Sequence, residues 1–256
     1  MLVAVHRSGD ILRLTISRPD KRNALSRAVG AELAQALETH REDAALKLLV
    51  LTGQGERAFS SGGDLAELNA VRTAAAAVEM SESFGAVLDA LRAFPLPTVA
   101  ALNGDALGGG AELAMACDLR VAARHARIGF LQGKLNISTA WGGGVDLLRA
   151  VGCAKGLRLL GLAEALTATQ AFEAGLLDAI APENRPFDAF VEDFCTGYIA
   201  RTAQVLRSFK TLLCAYRRGA SHEELRLIET RHFARNWVHE DHWAALEASR
   251  RRVARA

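Results

Sequence analysis

Apolar and polar residues alternate from Leu2 to Arg7 and again from Ile11 to Ser17, with Ser8-Gly9-Asp10 between the two runs. Alternation of period two around a glycine turn predicts a β-hairpin. After the polar loop Arg18–Leu25 the period becomes helical. Ala31, Leu33, Ala34 and Leu37 then share one face, and Ser26 is placed to cap the first turn. Leu46–Thr52 is a short unbroken apolar run, which predicts a strand buried on both faces. The turn-rich segment Gly53–Gly63 follows, and Asp64 starts a short helix. Ala70–Val78 is alanine-rich with no large apolar anchor, and reads as a mobile loop or weakly held helix. Ser81–Phe94 is a better helix that stops at Pro95-Leu96-Pro97.

Thr98–Leu102 predicts another buried strand, running into Asn103-Gly-Asp-Ala-Leu-Gly-Gly-Gly-Ala-Glu112 and a helix. Asp118–Ala122 is a further strand. Strands alternating with helices imply parallel pairing and right-handed crossovers. Ile128–Ser138 is irregular. Trp141-Gly-Gly-Gly144 opens a second glycine turn and a helix to Val151. Helices at Ala154–Leu162 and Thr167–Ala174, with Gly175 as a stop, precede a short strand, Asp178–Ile180. From Pro186 on the pattern is helical only: Phe187–Ala200, Thr202–Tyr216, His222–Asn236 and His239–Val253. The reading is an α/β core over residues 1–185 and an α-helical C-terminal section over residues 186–256. No fixed-period repeat is present.

The chain has 256 residues, half of them hydrophobic, enough for a sizeable core. A net charge of +2 argues against a dedicated nucleic-acid binder. Arg250, Arg251, Arg252 and Arg255 read as a solvated tail. No stretch is long and apolar enough to span a bilayer, and no basic-then-apolar signal segment opens the chain. The four cysteines, Cys117, Cys153, Cys195 and Cys214, lack CxxC spacing and read as free thiols of a reducing cytoplasm.

The chemistry concentrates at Gly108-Gly109-Gly110. Three glycines at a helix start remove Cβ atoms and leave N–H groups unpaired. With the helix dipole, those donors suit an anion or a carbonyl oxygen becoming an oxyanion. Glu112 sits in the first turn beside them. The plain alternative is a tight strand–helix crossover. A dinucleotide site is a poor match, because Gly104-x-x-x-Gly108-Gly-Gly110 is not G-x-G-x-x-G and Glu112 would repel a pyrophosphate.

Four segments in this order resemble the enoyl-CoA hydratase/isomerase (crotonase) superfamily along nearly the whole chain. They are Arg18-Pro-Asp-Lys-Arg-Asn-Ala-Leu25, Ala58-Phe-Ser-Ser-Gly-Gly-Asp-Leu65, Asn103–Asp118 and the Gly142–Gly143 turn. The resemblance implies the spiral crotonase fold, with two roughly perpendicular β-sheets surrounded by helices. It implies C-terminal helices at a subunit contact, and a homotrimer or a hexamer built as a dimer of trimers. It implies an acyl-CoA thioester substrate, no metal and no cofactor beyond the coenzyme A of the substrate. The thioester oxygen would sit between the backbone N–H groups of Gly63 and Gly109. The CoA body would run past Lys21, Arg22, Ala24, Ser61, Asp64 and Leu65, with Gly108 and Trp141 also at the site. For Lys21 and Arg22 the alternative is a solvated loop, and for Asp64 a helix cap.

Hydratases of this family hold a water between two glutamates. Glu112 matches the first, and the second position falls on Gln132; Ile128–Val145 contains no Asp or Glu. Glutamine does not exchange a proton at neutral pH. Three readings fit: a hydratase or isomerase using Glu112 with Gln132 positioning, a decarboxylase of a 2-carboxyacyl-CoA, or a non-catalytic acyl-CoA binder. Ala140-Trp-Gly-Gly143 and Phe233-Ala-Arg-Asn-Trp237 are similar to ethylmalonyl-CoA decarboxylase-like members. His239 and His242 have the spacing of a metal pair, but a polar helix face explains them better. The resemblance also implies C-terminal helices that approach a neighbour's pocket, which would bring Trp237 or His242 to an active site. Phe84, Leu88 and Leu91 recur at helical spacing and suit either core packing or the wall of an acyl tunnel.

Overall fold

A computed structural model describes residues 1–253, apart from the side chain of Arg252; Arg255 of the C-terminal basic cluster lies outside the described residues. β1 (Val3–Ser8) and β2 (Ile11–Ile16) form the expected antiparallel hairpin. α1 (Arg27–His40) begins at Ser26, whose hydroxyl accepts from the Val29 N–H. β3 (Leu48–Gly53) is buried at every position, as its unbroken apolar run requires. Next come β4 (Ala58–Ser60), α2 (Leu65–Leu68), α3 (Ala74–Arg92), β5 (Thr98–Leu102), β6 (Asp105–Leu107), α4 (Gly109–Ala116), β7 (Leu119–Ala122) and β8 (Arg127–Gly129). After a 3-10 turn (Leu131–Leu135) the chain forms α5 (Gly143–Val151), α6 (Cys153–Leu162), β9 (Leu166–Thr167), α7 (Ala168–Ala174) and β10 (Ala179–Ile180). Four helices end it: α8 (Phe187–Ile199), α9 (Ala203–Arg217), α10 (His222–Trp237) and α11 (Glu240–Val253).

The strands form two mixed sheets. One has the order β1-β2-β3-β5-β7-β10, parallel except for the hairpin, and the other has the order β4-β6-β8-β9. The chain visits them alternately: β3 then β4, β5 then β6, β7 then β8. Each circuit lays one strand in each sheet, so the chain advances as a spiral. Asparagines tie its corners. The buried Asn103 accepts from the Gly53 N–H (2.9 Å) and donates to the Gly55 (2.7 Å) and Ala58 (3.1 Å) carbonyls. Asn23 donates to the same Ala58 carbonyl at 2.7 Å. Buried turns need such side chains because their backbone groups have no ladder partner.

Two expectations need correction. Of the two readings of Ala70–Val78 the helix holds from Ala74 on, but not as a piece separate from Ser81–Phe94, because Ala74–Arg92 is one continuous helix capped by Thr73. Alanine favours helix strongly enough without an apolar anchor. The strand Thr98–Leu102 does not lead straight into the glycine turn either, because β6 intervenes and it is β6 that Gly108 joins to α4. Strands of two or three residues are too short to show a period.

The C-terminal helices attach unequally. α8 packs Val191 and Cys195 against Leu48, Val50, Val99 and Val121 of the large sheet. α9 inserts Leu206 into the main core. It also carries Lys210 and Arg217 to the buried Asp118, at 2.5 and 2.7 Å. α10 buries no residue fully and lies on α9; α9, α10 and α11 border a cavity of about 790 Å3 faced by Phe233, Trp237 and His242. The His242 ring lies 4.7 Å from the Trp237 ring, and His239 faces Asp241 at 3.4 Å. Among the described residues no group of three or more His, Cys, Asp and Glu side chains is arranged to hold a metal, and no helix is long and apolar enough to cross a membrane.

Lys210→Met keeps the aliphatic stem but removes the buried cation opposite Asp118, and should cost about 3 kcal/mol of stability. Urea unfolding measures it; a loss below about 0.5 kcal/mol, the scale of ordinary surface changes, would show that Arg217 and the Thr98 donors satisfy Asp118 without Lys210.

Candidate active site

Glu112 is 2 % exposed, in the first turn of α4. Its Oε2 accepts from the Trp141 N–H (2.9 Å) and the Gly143 N–H (3.0 Å). Its Oε1 accepts from the Gln132 amide at 2.8 Å. Burial pushes the carboxyl above its usual range, and these donors offset the effect only in part. The irregular segment thus brings Gln132 to Glu112. The Gln132 Oε1 is buried and has no hydrogen-bond partner among the described residues. An orphaned buried acceptor costs about 1–3 kcal/mol, so it marks a place for a donor.

Close backbone approach builds the rest. A Cβ on Gly109 would overlap the Trp141 ring, and one on Gly143 would lie 2.5 Å from the Glu112 Cα and Cγ. A Cβ on Gly62 would lie 3.1 Å from the Gly109 nitrogen, so the Ser61–Leu65 turn abuts the start of α4. Gly108 has a φ of +55°, in the left-handed region. Among the described residues, neither the Gly63 N–H nor the Gly109 N–H has an acceptor. Two free donors therefore lie on two touching turns, close to a buried carboxyl. That arrangement can stabilise negative charge on a carbonyl oxygen while an adjacent acid or base moves a proton.

The other residues singled out by sequence gather around these turns. Ser61 N–H donates to the Arg22 carbonyl at 3.0 Å, and the Leu25 N–H to the Gly62 carbonyl at 2.8 Å. Lys21 and Arg22 are exposed, Ala24 is buried, and Leu65 is 70 % exposed. Arg22 and Ser61 line a cavity of about 610 Å3 with Arg57 and His125. Asp64 accepts from the Ala66 N–H and caps α2, while Arg18 pairs with it at 2.7 Å and holds its carboxyl below the usual range. Trp141 stacks on Phe84, ring centroids 4.4 Å apart. Phe84, Leu88 and Leu91 belong to the main core. Burial pushes the Cys117 thiol up to about 12 and the Cys195 thiol to about 11, so neither is a nucleophile at neutral pH.

Sequence reading missed Arg18, the partner of Asp64, and missed Arg92. Arg92 pairs with Asp146 at 2.8 Å and donates to the Trp141 carbonyl at 3.1 Å. An acidic residue in the first turn after the second glycine run was the available signal for Asp146.

Residues 6–247 match the family described as Enoyl-CoA hydratase/isomerase. The chain belongs to this family. It is 31 % identical to a probable enoyl-CoA hydratase of Bacillus subtilis over 235 residues, covering 92 % of this chain and 90 % of that one. Over 180 residues it is 37 % identical to the 2,3-dehydroadipyl-CoA hydratase of Escherichia coli, covering 70 % and 69 % of the two chains. The crystal structure of an enoyl-CoA hydratase from Bacillus anthracis superposes with a TM-score of 0.91 at 25 % identity, covering 98 % of this chain and 97 % of that one. The fold is thus the crotonase-like α/β fold of the enoyl-CoA hydratase/isomerase family, with two mixed sheets surrounded by helices and a helical C-terminal section.

Gly109→Ala should destabilise the protein by about 1–3 kcal/mol, because its methyl overlaps the Trp141 ring. Gly63→Ala meets only the movable tip of Leu68 at 3.0 Å and should cost under about 1 kcal/mol. Thermal unfolding compares them, and equal losses would contradict this packing.

Proposed function

We propose that the chain is an acyl-CoA enzyme that hydrates or isomerises an enoyl-CoA, with Glu112 as its acid/base. The observation that carries this reading is the buried Glu112 carboxyl beside two acceptor-free glycine N–H groups. The thioester oxygen is taken up by the N–H groups of Gly63 and Gly109. One such fixed donor is worth roughly 2.7–4 kcal/mol of barrier. In hydration, water adds its oxygen to Cβ and its proton passes to the Glu112 carboxylate. The resulting thioester enolate takes a proton back from Glu112 at Cα, so the carboxylate is regenerated. In isomerisation the same group removes a proton from one carbon and returns it to another. Gln132 moves no proton; its orphaned Oε1 holds the water or a substrate donor.

The CoA body runs along the Lys21–Leu25 loop and the Ser61–Leu65 turn, with Lys21 and Arg22 near its phosphates. No metal or further cofactor takes part. The proposed setting is a reducing cytoplasm, without a nucleic-acid or membrane partner. The proposed assembly is a homotrimer or a dimer of trimers joined through the C-terminal helices, where Phe209, Tyr216 and Val238 are exposed. One observation favours a second reading: Gln132 is neutral, and would not repel the carboxylate of a 2-carboxyacyl-CoA. Loss of CO2 gives the same enolate without a second base.

Mass spectrometry of CoA products after incubation with crotonyl-CoA or ethylmalonyl-CoA separates the readings. A crotonyl-CoA product heavier by one water is the expected result. An ethylmalonyl-CoA product lighter by CO2, with crotonyl-CoA unchanged, would transfer the assignment to decarboxylation. Glu112→Gln should abolish turnover yet keep CoA-ester binding.

The raised proton affinity of Glu112 sets the pH profile. The base form is lost as pH falls through the raised value, so the acid limb of kcat/KM should lie above the ordinary glutamate pKa of about 4.3. Gln132→Glu adds a like charge, and should raise the hydration rate and move that limb to higher pH. An unmoved limb would remove Glu112 from the titration.

A further inference from the structure

The Glu112 carboxyl is held by two backbone N–H groups, so whatever fixes those peptide planes fixes the carboxyl. In a trans peptide the carbonyl and the following N–H point in opposite directions on one rigid plane. The Trp141 N–H shares its plane with the Ala140 carbonyl, and Ser81 of α3 donates its hydroxyl to that carbonyl at 2.7 Å. The Gly143 N–H shares its plane with the Gly142 carbonyl, which accepts from the N–H groups of Val145 (3.1 Å) and Asp146 (3.2 Å). The peptide between these two carries the Trp141 carbonyl, which accepts from Arg92 of α3 at 3.1 Å. Arg92 also pairs with Asp146, which is 8 % exposed in the first turn of α5. Every plane from Ala140 to Gly143 is therefore pinned at its carbonyl end. Two of the three pins are side chains of one helix, which also stacks Phe84 on Trp141.

We propose that Ser81 and Arg92 are positioning residues that hold Glu112 through the peptide planes of the Ala140–Gly143 turn. This inference rests on the reading of Glu112 as the acid/base. Neither side chain is a hydrogen-bond partner of Glu112. A carbonyl that accepts a hydrogen bond also makes the N–H of its own plane a better donor. Ser81 thus strengthens the Trp141 donor as well as aiming it. Arg92 grips the turn and α5 with one rigid planar fork, which a lysine cannot reproduce.

The test is steady-state kinetics of purified Ser81→Ala, Ser81→Thr and Arg92→Ala on the substrate the wild type turns over, with CoA-ester affinity and thermal unfolding measured alongside. Ser81→Ala should lower kcat about 3- to 10-fold, the worth of one neutral hydrogen bond, with KM nearly unchanged. Ser81→Thr keeps the hydroxyl and should restore the rate. Arg92→Ala should lower kcat about 10- to 100-fold, the worth of a charged hydrogen bond, and added guanidinium ion should recover part of it. If Arg92→Ala does not fold, Arg92→Lys is measured in its place: it keeps the charge but not the fork that joins Trp141 to Asp146, and should also lower kcat with KM nearly unchanged. An unchanged kcat in Ser81→Ala and Arg92→Ala overturns the proposal. So does a loss that appears equally in CoA-ester binding and is not restored by threonine or guanidinium. Glu112→Gln is run beside them. If it keeps the wild-type rate, the reading of Glu112 fails; if it is dead while the α3 variants are unaffected, only this inference fails.

Discussion

The structure depends on keeping one carboxyl out of water. Burying an ionised carboxylate is costly unless fixed donors replace its hydration. Here the donors are the Trp141 and Gly143 N–H groups and the Gln132 amide, all within 3.0 Å. They do not cancel the burial, and Glu112 keeps a raised proton affinity. The acid/base role proposed for it needs this, a carboxyl that exchanges its proton nearer neutral pH than an ordinary glutamate does. Backbone donors can reach it only because residue 143 lacks a side chain, since a Cβ there would collide with Glu112 itself.

The fold follows from bringing distant glycine turns together. Each circuit of the spiral ends a strand of the small sheet beside the same point: Ser60 ahead of Gly62, Leu107 ahead of Gly108, and Gly129 ahead of the segment bearing Gln132. Parallel pairing of β4, β6 and β8 sets these ends side by side. Asn23 and Asn103 lock the returns between sheets. α3 then crosses over the second glycine turn and holds it at Ala140 and Trp141. Sheet topology brings the chemical groups near one another, and side-chain hydrogen bonds set their orientation.

Local pattern showed much of this. The hairpin, α1 with its Ser26 cap, the buried β3 and β5, and the glycine-led α4 and α5 each announce themselves within a dozen residues. Glu112 stood out beside the glycine triplet, whereas Gly63, Gly109 and Gln132 were named through the family resemblance; the structure gathers the turns that carry them. The strands of the small sheet were illegible, because two or three residues carry no period. α3 was split in two, because an alanine run lacks the apolar stripe that marks a packed face, although its intrinsic preference is helical. The Asp118 hub was hidden for another reason. Lys210 and Arg217 reach it from α9, far along the chain, and no local signal links them. Ser81 and Arg92 were missed likewise, because they act on carbonyl groups, which any residue supplies.

The central claim is that Glu112 carries the proton to and from Cα of a bound thioester. Hydrogen exchange tests it without assuming which product forms. Butyryl-CoA, a saturated ester with nothing to hydrate, is incubated with the protein in D2O and its α-position followed by NMR. The wild type should introduce deuterium at Cα, and Glu112→Gln, still binding the ester, should introduce none. Equal exchange in both proteins would mean that another group moves the proton, and would contradict the account.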